Sequence, residues 1–159
     1  MRLYLVRHAH ASTRGPGLAD KYRPLSERGE AQALAIRAYL RSKPITRVLS
    51  SSATRCAQTV QPLATAIGLE VEEYEELWEE TLPVESLALL NEFSDQVVVA
   101  CSHGNIIPEV LGLLRESGIK IRGRGCEKAS IWELEHNGTK WTHANYVAAT
   151  AISPPTPAS

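Results

Sequence analysis

The sequence has no apolar run long enough for a membrane-spanning helix, and its 17 basic and 18 acidic side chains nearly cancel. A formal charge of −1 gives no general attraction to nucleic acid or to an anionic membrane. The three cysteines are far apart and form no C-x-x-C pair, which argues against a disulfide framework or a zinc site. Recognition of an anion must therefore come from a local pocket.

The sequence also lacks the short motifs of several enzyme classes. It contains no G-x-x-x-x-G-K-[ST] loop, no G-x-G-x-x-G after a strand and no G-x-S-x-G elbow. The length of 159 residues fits one domain, which we assign to residues 1–150, and we expect the proline-rich tail at 151–159 to be disordered. The first strand is too short for the core of a signal peptide, which favours the cytoplasm.

The first strand carries the earliest functional signal. A run of strand-forming residues from Leu3 ends in Arg7 and His8, which is typical of a buried parallel strand with polar side chains at its carboxyl end. Ligands bind at that end of open α/β sheets. Arginine offers a fork of donors to a phosphate, and neutral imidazole is a nitrogen nucleophile. The pair indicates phosphoryl chemistry. The alternative interpretation is that Arg7 and His8 are simply a basic strand end at the protein surface.

Two later strands deliver polar residues to the same edge. The first covers 47–50 and leads into a serine-capped helix with Arg55 in its first turn, where we expect an exposed side chain. The second covers 96–101, reads as the centre of the sheet, and is followed by His103 and Gly104. A histidine at a strand end twice in one domain favours a shared site.

The remaining segments complete a strand–helix alternation that predicts a parallel sheet. Ser26 is a candidate N-cap of a helix that ends near Ser42, with an apolar stripe at Ala31, Leu34, Ala35 and Ala38. Asn137-Gly138 lies between two alternating segments and predicts an antiparallel edge hairpin with a type I′ turn.

Arg7, His8, Arg55 and His103 together meet most needs of phosphoryl transfer without a metal. Two guanidinium groups neutralise the phosphoryl oxygens, His8 attacks, and His103 donates a hydrogen bond to the developing charge. A glutamate from the acidic stretch, Glu76, Glu79 or Glu80, is a candidate general acid. The H-x-H spacing of His8 and His10 also occurs in metallohydrolases, but such sites need further His or Asp ligands and often a barrel longer than this chain.

Four motifs, in order and spacing, resemble those of the histidine phosphatase superfamily, which includes the phosphoglycerate mutases. They are Leu5-Val6-Arg7-His8-Ala9, Pro24-Leu25-Ser26-Glu27-Arg28-Gly29, the nine residues 51–59 and Ser102-His103-Gly104. The chain looks most like the short SixA-type phosphohistidine phosphatases, and also like the domain attached to some MutT-type nucleotide hydrolases. Ala9 departs from the usual R-H-G, and the larger family's capping insertions are absent.

The resemblance implies a three-layer α/β/α fold with a mostly parallel central sheet and the antiparallel hairpin at its C-terminal edge. It implies that His8 accepts the phosphoryl group and that Arg7, Arg55 and His103 form the phosphate pocket. Leu77-Trp78-Glu79 is similar to the L-x-E of family members whose glutamate donates a proton, which favours Glu79. We add Arg23, Ser102 and Gly104 as candidate substrate-binding residues and expect neither a metal nor a cofactor.

These observations predict a metal-independent phosphatase that works through a phosphohistidine on His8. Its substrate is phosphohistidine in proteins or a small phosphorylated compound, and we expect no nucleic-acid or membrane partner. One alternative is a nucleotide phosphatase, and another is a noncatalytic module that binds phosphate. Replacement of Arg55 by alanine is expected to abolish turnover and leave the fold intact.

Overall fold

The computed structural model describes residues 1–13, 15 and 17–152. Seven strands and five α-helices alternate along most of the chain. The strands are β1 Arg2–Arg7, β2 Arg47–Ser50, β3 Val71–Glu73, β4 Val97–Ser102, β5 Lys120–Arg122, β6 Ile131–His136 and β7 Trp141–Val147. The helices are α1 Glu27–Leu40, α2 Thr54–Ala66, α3 Pro83–Glu92, α4 Ile107–Glu116 and α5 Ala149–Ile152, with 3-10 turns at Asp20–Tyr22 and Glu75–Leu77. None of these helices is long and apolar enough to cross a membrane.

The strands form one sheet in the order β3-β2-β4-β1-β6-β7-β5. The strands β3, β2, β4 and β1 pair in parallel, and β6 runs antiparallel to both β1 and β7. The short β5 pairs in parallel with β7 and lies outside it. The mostly parallel sheet and the antiparallel C-terminal β6–β7 hairpin are as predicted, but β5 and not the hairpin forms that edge, and β4, predicted at the centre, lies beside the central strand β1.

Helices cover both faces of the sheet, which gives the predicted three layers. Alternate residues of β1 divide between two cores: Leu3 and Leu5 pack with residues of α3 and α4, whereas Tyr4 and Val6 pack with residues of α1 and α2. This alternation is the two-residue period of a strand that is buried on both faces.

The parallel strands end at one edge of the sheet. Arg7, the last residue of β1, is paired in register with Ser102, the last residue of β4, and Ser50 of β2 is paired with Cys101. The segments that follow these three strands therefore begin side by side, which brings His8, Ser51 and His103 together.

The stripe predicted for α1 is wrong. Ser26 caps the helix by accepting a hydrogen bond from the Gly29 N–H, as predicted. However, the buried positions are Gly29, Ala33, Ile36 and Leu40, and Leu34 is 46% exposed. The spacing of the four predicted residues is helical, but alanine is so common on every face of this helix that the spacing did not identify the face that packs.

Three local predictions differ from the structure. The N-cap of α2 is Ala53, which has no side chain that can cap the helix. The hairpin loop covers residues 137–140, and Asn137 lacks the positive φ that a type I′ turn requires; its side chain accepts from the Thr139 and Lys140 N–H groups instead. Helix α5 reaches Ile152, two residues into the predicted tail, and residues 153–159 lie outside the described residues.

Candidate active site

His8 directly follows β1 and is 6% exposed. Its Nδ1 lies 2.8 Å from the carbonyl oxygen of Ala9, and the Ala9 N–H donates to the Thr59 hydroxyl at 2.9 Å. A carbonyl oxygen can only accept, so Nδ1 carries the proton and the lone pair is on Nε2. Ala9 has negative φ, so its replacement of the usual glycine requires no strained backbone.

The surroundings of His8 keep its imidazole neutral. The pKa of His8 is lowered from 6.5 to about 4, first by burial and then by the charges of Arg55, Arg7 and Lys128. The hydrogen bond to Ala9 opposes this shift. The neutral ring with a lone pair on Nε2 is the form that can attack a phosphorus atom.

Arg7 lies against the backbone of Gly104. A Cβ at position 104 would lie 2.6 Å from the Cζ of Arg7 and 2.7 Å from its Nε, so only glycine leaves room for the guanidinium group. The Arg7 Nη1 donates to the carbonyl oxygen of Cys126 at 2.6 Å. Gly104 thus makes room for an arginine of the site, whereas its sequence position indicated close approach to a ligand.

Arg55 is buried, which corrects the expectation of an exposed side chain. It is 2% exposed, donates to the carbonyl oxygen of Asp20 at 3.0 Å, and forms ion pairs with the carboxylates of Asp20 at 3.4 Å and Glu79 at 3.2 Å. Its guanidinium group also lies 5.9 Å from the ring of Trp78. The first turn of α2 points inward here, so removal of Arg55 affects the fold as well as the site.

His103 follows β4 and makes an edge contact with His8, with 5.4 Å between the ring centres. The Ser51 hydroxyl accepts from the Ala53 N–H at 3.2 Å and lies 2.9 Å from Nε2 of His103. The Arg55 guanidinium, which can only donate, lies 3.4 Å from Nδ1 of His103, so Nδ1 accepts and the proton on Nε2 points to the Ser51 hydroxyl. Burial first, then the charges of His8 and both arginines, lower the pKa of His103 to about 3, so its ring is neutral.

Glu79 is the member of the acidic stretch that lies at the site. Its carboxylate is close to Arg55 and His103, and its carbonyl oxygen accepts from the Asn105 side chain at 2.7 Å. Glu76 and Glu80 are exposed and do not line the cavity that contains His8. Of the three candidate glutamates, the structure therefore brings only Glu79 to the cavity that contains His8.

These side chains line a cavity of about 320 Å³ together with Arg23, Asp20 and Lys128. Asp20 is paired with Arg23 at 3.1 Å and with Arg55. The Nε atoms of Arg7, Arg23 and Arg55 are buried and have no hydrogen-bond partner among the described residues. Three arginines around one cavity complement the charge of an oxyanion with several acceptor oxygens.

Two sequence candidates lie elsewhere. The hydroxyl of Ser102 donates to the carbonyl oxygen of Leu77 at 2.8 Å, is fully buried and does not line the cavity, so we leave Ser102 out of the proposed site. The ring of His10 is hydrogen-bonded to Ser26 at 2.6 Å and does not share the cavity of His8. Within the described residues, no cluster of His, Cys, Asp or Glu could hold a metal ion.

Sequence reasoning missed Asp20, Lys128, Asn105 and Ser51 as members of the site. Lys128 and Asp20 lie on segments that carry no motif, and only the folded chain brings them to the cavity. Ser51 and Asn105 are within recognised motifs, each next to a strand end, and that position was the available signal.

A family model described as histidine phosphatase superfamily, branch 1, matches residues 3–85. The chain belongs to the histidine phosphatase superfamily. The matched segment contains Arg7, His8, Arg55 and Glu79 of the candidate site, as well as Asp20, Arg23 and Ser51. The predicted membership of this superfamily is confirmed.

Similar proteins within the superfamily differ in their substrates. An 8-oxo-(d)GTP phosphatase of Mycolicibacterium smegmatis is 28% identical over 158 residues, which are 95% of this chain and 48% of that protein, so the chain spans about half the length of this relative. The structure of SixA from Agrobacterium tumefaciens matches with a TM-score of 0.74 and 24% identity, covering 92% of this chain and 97% of that one.

The protein histidine phosphatase SixA in complex with tungstate also has a TM-score of 0.74, with 19% identity over 93% of this chain and 95% of that chain. At these sequence identities, the two SixA structures show that this chain has the same fold as they do.

Proposed function

We propose that this histidine phosphatase removes phosphoryl groups from phosphohistidine in proteins through an intermediate on His8, without a metal ion. The observation that carries the proposal is the neutral His8, whose Nδ1 is bonded to Ala9, beside unpartnered arginine donors. The nucleophile and the charge-neutralising groups are therefore in place before substrate binds, which is the main requirement of phosphoryl transfer. Its proposed setting is the cytoplasm.

In the first step, Nε2 of His8 forms a bond to phosphorus as the bond from phosphorus to the leaving group breaks. Arg7 and Arg55 neutralise the equatorial oxygens, and the neutral ring of His103 lines the same cavity. The carboxyl group of Glu79, at the same cavity, gives a proton to the leaving nitrogen.

In the second step, water attacks phosphorus and its proton passes to the Glu79 carboxylate. The bond between phosphorus and Nε2 breaks, His8 regains its lone pair, and inorganic phosphate leaves. Glu79 acts as acid in one step and as base in the other, so the cycle ends with the protonation states with which it began.

A nucleotide is the second candidate substrate. The similarity to an 8-oxo-(d)GTP phosphatase along 95% of this chain favours it, and a phosphorylated nucleoside presents the same oxyanion to the arginines. The two substrates differ in the leaving group: an imidazole nitrogen in one case and a phosphate or sugar oxygen in the other.

Phosphate release in EDTA tests the proposal. We would compare a phosphohistidine protein with nucleoside mono- and diphosphates, using His8→Ala as the blank. We expect His8-dependent release, fastest from phosphohistidine. Faster release from a nucleotide would establish the second candidate, and loss of activity in EDTA that added metal restores would contradict the metal-free mechanism. Tight phosphate binding without turnover would identify a noncatalytic module.

Two conservative variants test the acid. Glu79→Gln keeps the size of the side chain but cannot transfer a proton, and Asp20→Asn is the matched control at the other carboxylate of the cavity. We expect Glu79→Gln to slow substrates with poor leaving groups by about 10²–10⁴-fold, the usual contribution of general acid–base catalysis. An equal or larger loss of turnover in Asp20→Asn would identify Asp20 as the general acid instead.

A further inference from the structure

A second cavity, of about 850 Å³, runs along α1 and opens next to the active site. We call it the α1 groove. Its residues include Arg7, Arg28, Ala31, Ala35, Ala38 and Lys128. Arg7 and Lys128 line both this groove and the cavity of His8, so the two spaces adjoin.

Three of the four residues of the predicted stripe line the α1 groove; Ala35 also packs against the core, and Leu34 lies outside the groove. Ala31, Ala35 and Ala38 share one side of α1, at spacings of four and three residues, and line the groove. Larger side chains at these positions would narrow this space. The helix therefore has two apolar faces, one packed in the core and one lining the groove.

Positively charged side chains outnumber carboxylates in the α1 groove. Arg28, Lys128 and Arg7 line it, and the one carboxylate among its described residues is Glu127, which accepts from the Ala149 N–H at 2.8 Å. Neither Arg28 nor Lys128 has a hydrogen bond or an ion pair within the described residues. The whole chain has a formal charge of −1, so this concentration of positive charge is local and complements an anionic ligand.

The dimensions of the groove fit a peptide segment. From Arg28 to Ala38 the helix rises about 15 Å, at roughly 1.5 Å per residue. An extended peptide covers that distance with about five residues at roughly 3.3 Å each. The groove contains no Phe, Tyr or Trp among its described residues, and its one ring, that of His10, is hydrogen-bonded to Ser26 at 2.6 Å.

We propose that the α1 groove binds the polypeptide that flanks the phosphorylated residue of a protein substrate, and that this segment carries carboxylates that pair with Arg28 and Lys128. This inference rests on the proposed function, because it places a phosphoryl group at His8 and the chain beyond it in the groove. It assigns substrate selection to a surface outside the phosphate pocket.

Direct binding tests the groove independently of catalysis. The probes are fluorescein-labelled peptides with a central histidine, flanked on the amino side or on the carboxyl side by glutamates, or on both sides by alanines. Fluorescence anisotropy would measure their affinity for wild type, Arg28→Glu and Arg41→Glu. Arg41 is an exposed arginine that follows the last residue of α1 and does not line the groove, which makes it a matched control.

We expect one glutamate peptide to bind about tenfold more tightly than the alanine peptide at low salt, as for charge pairs at an interface rim. Arg28→Glu should abolish this preference, and Arg41→Glu should retain it. Equal affinity for glutamate and alanine peptides, or equal losses in the two variants, would overturn the proposal. If Arg28→Glu weakens binding of nucleoside diphosphates and not of peptides, the groove is a nucleotide site and the proposal is also overturned.

Turnover of the phosphohistidine forms of the same peptides separates the two proposals. We expect the ratio of kcat/KM for the glutamate peptide to that for the alanine peptide to fall in Arg28→Glu. A glutamate preference in binding without any His8-dependent turnover would contradict the proposed function and support the groove. Turnover that does not depend on the flanking residues would contradict the groove and support the function.

Discussion

Replacement of Gly104 by alanine is a one-carbon change that should reduce activity through Arg7. The added Cβ would lie 2.6 Å from Cζ, 2.7 Å from Nε and 2.9 Å from Nη2 of that arginine. Ordinary carbon contacts are at least about 3.5 Å, so the guanidinium group must retreat by roughly 1 Å. The end of a flexible side chain can make such a shift without unfolding the protein.

The expected magnitudes follow from this displacement. A misplacement of about 1 Å in a charge-stabilising group costs roughly 10²-fold in rate. The shift also strains the bond from Arg7 to the Cys126 carbonyl, and loss of such a hydrogen bond costs about 1–3 kcal/mol of stability. The variant should therefore remain folded at room temperature and lose most of its kcat/KM.

The assay combines phosphate release from a small aryl phosphate with urea unfolding. Gly112→Ala is the control, because a Cβ there meets nothing within 4 Å and alanine favours the interior of α4. If Gly104 acts through Arg7, the double variant Gly104→Ala/Arg7→Ala should be no slower than Arg7→Ala alone. Activity of Gly104→Ala within about threefold of wild type, or additive losses in the double variant, would refute this reasoning.

Four further predictions concern pH and packing. The acidic limb of log kcat/KM should fall near pH 4, where His8 gains a proton, and a limb near 6.5 in a pH–rate profile would contradict a buried neutral His8. The pKa values of His8 and His103 lie below that of an unfolded histidine, so the unfolded chain binds more protons between about 4 and 6.5. The free energy of unfolding should then fall as the pH drops through that range, by about 3 kcal/mol from His8. Urea unfolding at several pH values that shows no such loss would argue against the burial of the two histidines. Arg55→Ala should abolish turnover and lower the free energy of unfolding by about 1–3 kcal/mol. The loss of stability is moderate because Asp20 and Glu79 lose their shared cation but remain partly exposed. An unchanged free energy of unfolding would contradict the buried ion pairs. Gly29→Ala should prevent stable folding, because the added Cβ would collide with the carbonyl oxygen of His10. A Gly29→Ala variant with the circular dichroism spectrum and melting temperature of the wild type would refute this prediction.

Much of the fold could be predicted because apolar runs and strand ends are local signals. The unbroken β-branched run of β4 indicated an interior strand, and Ser26 marked the start of α1 correctly. The inward face of α1 could not be predicted, because alanines stand on both faces and only the packing against α2 separates them. The turn at residues 137–140 depends on side-chain hydrogen bonds of Asn137 that its dipeptide does not reveal.

The candidate site was predictable as far as its residues follow strand ends. Arg7, His8 and His103 come together because parallel strands finish at one edge. The burial of Arg55 was not predictable, since it depends on carboxylates from two distant segments, Asp20 and Glu79. Lys128 was missed because its approach to His8 depends on the path of the chain between β5 and β6.

The most direct test of the central claim is to trap the intermediate. Enzyme mixed with phosphohistidine protein would be quenched in alkali within milliseconds, digested, and searched by mass spectrometry for a phosphorylated peptide that contains His8. We predict one acid-labile phosphoryl group on His8, formed and lost at rates compatible with turnover and absent from His8→Ala. Turnover with no phosphorylated His8, or with the group on another residue, would contradict the mechanism.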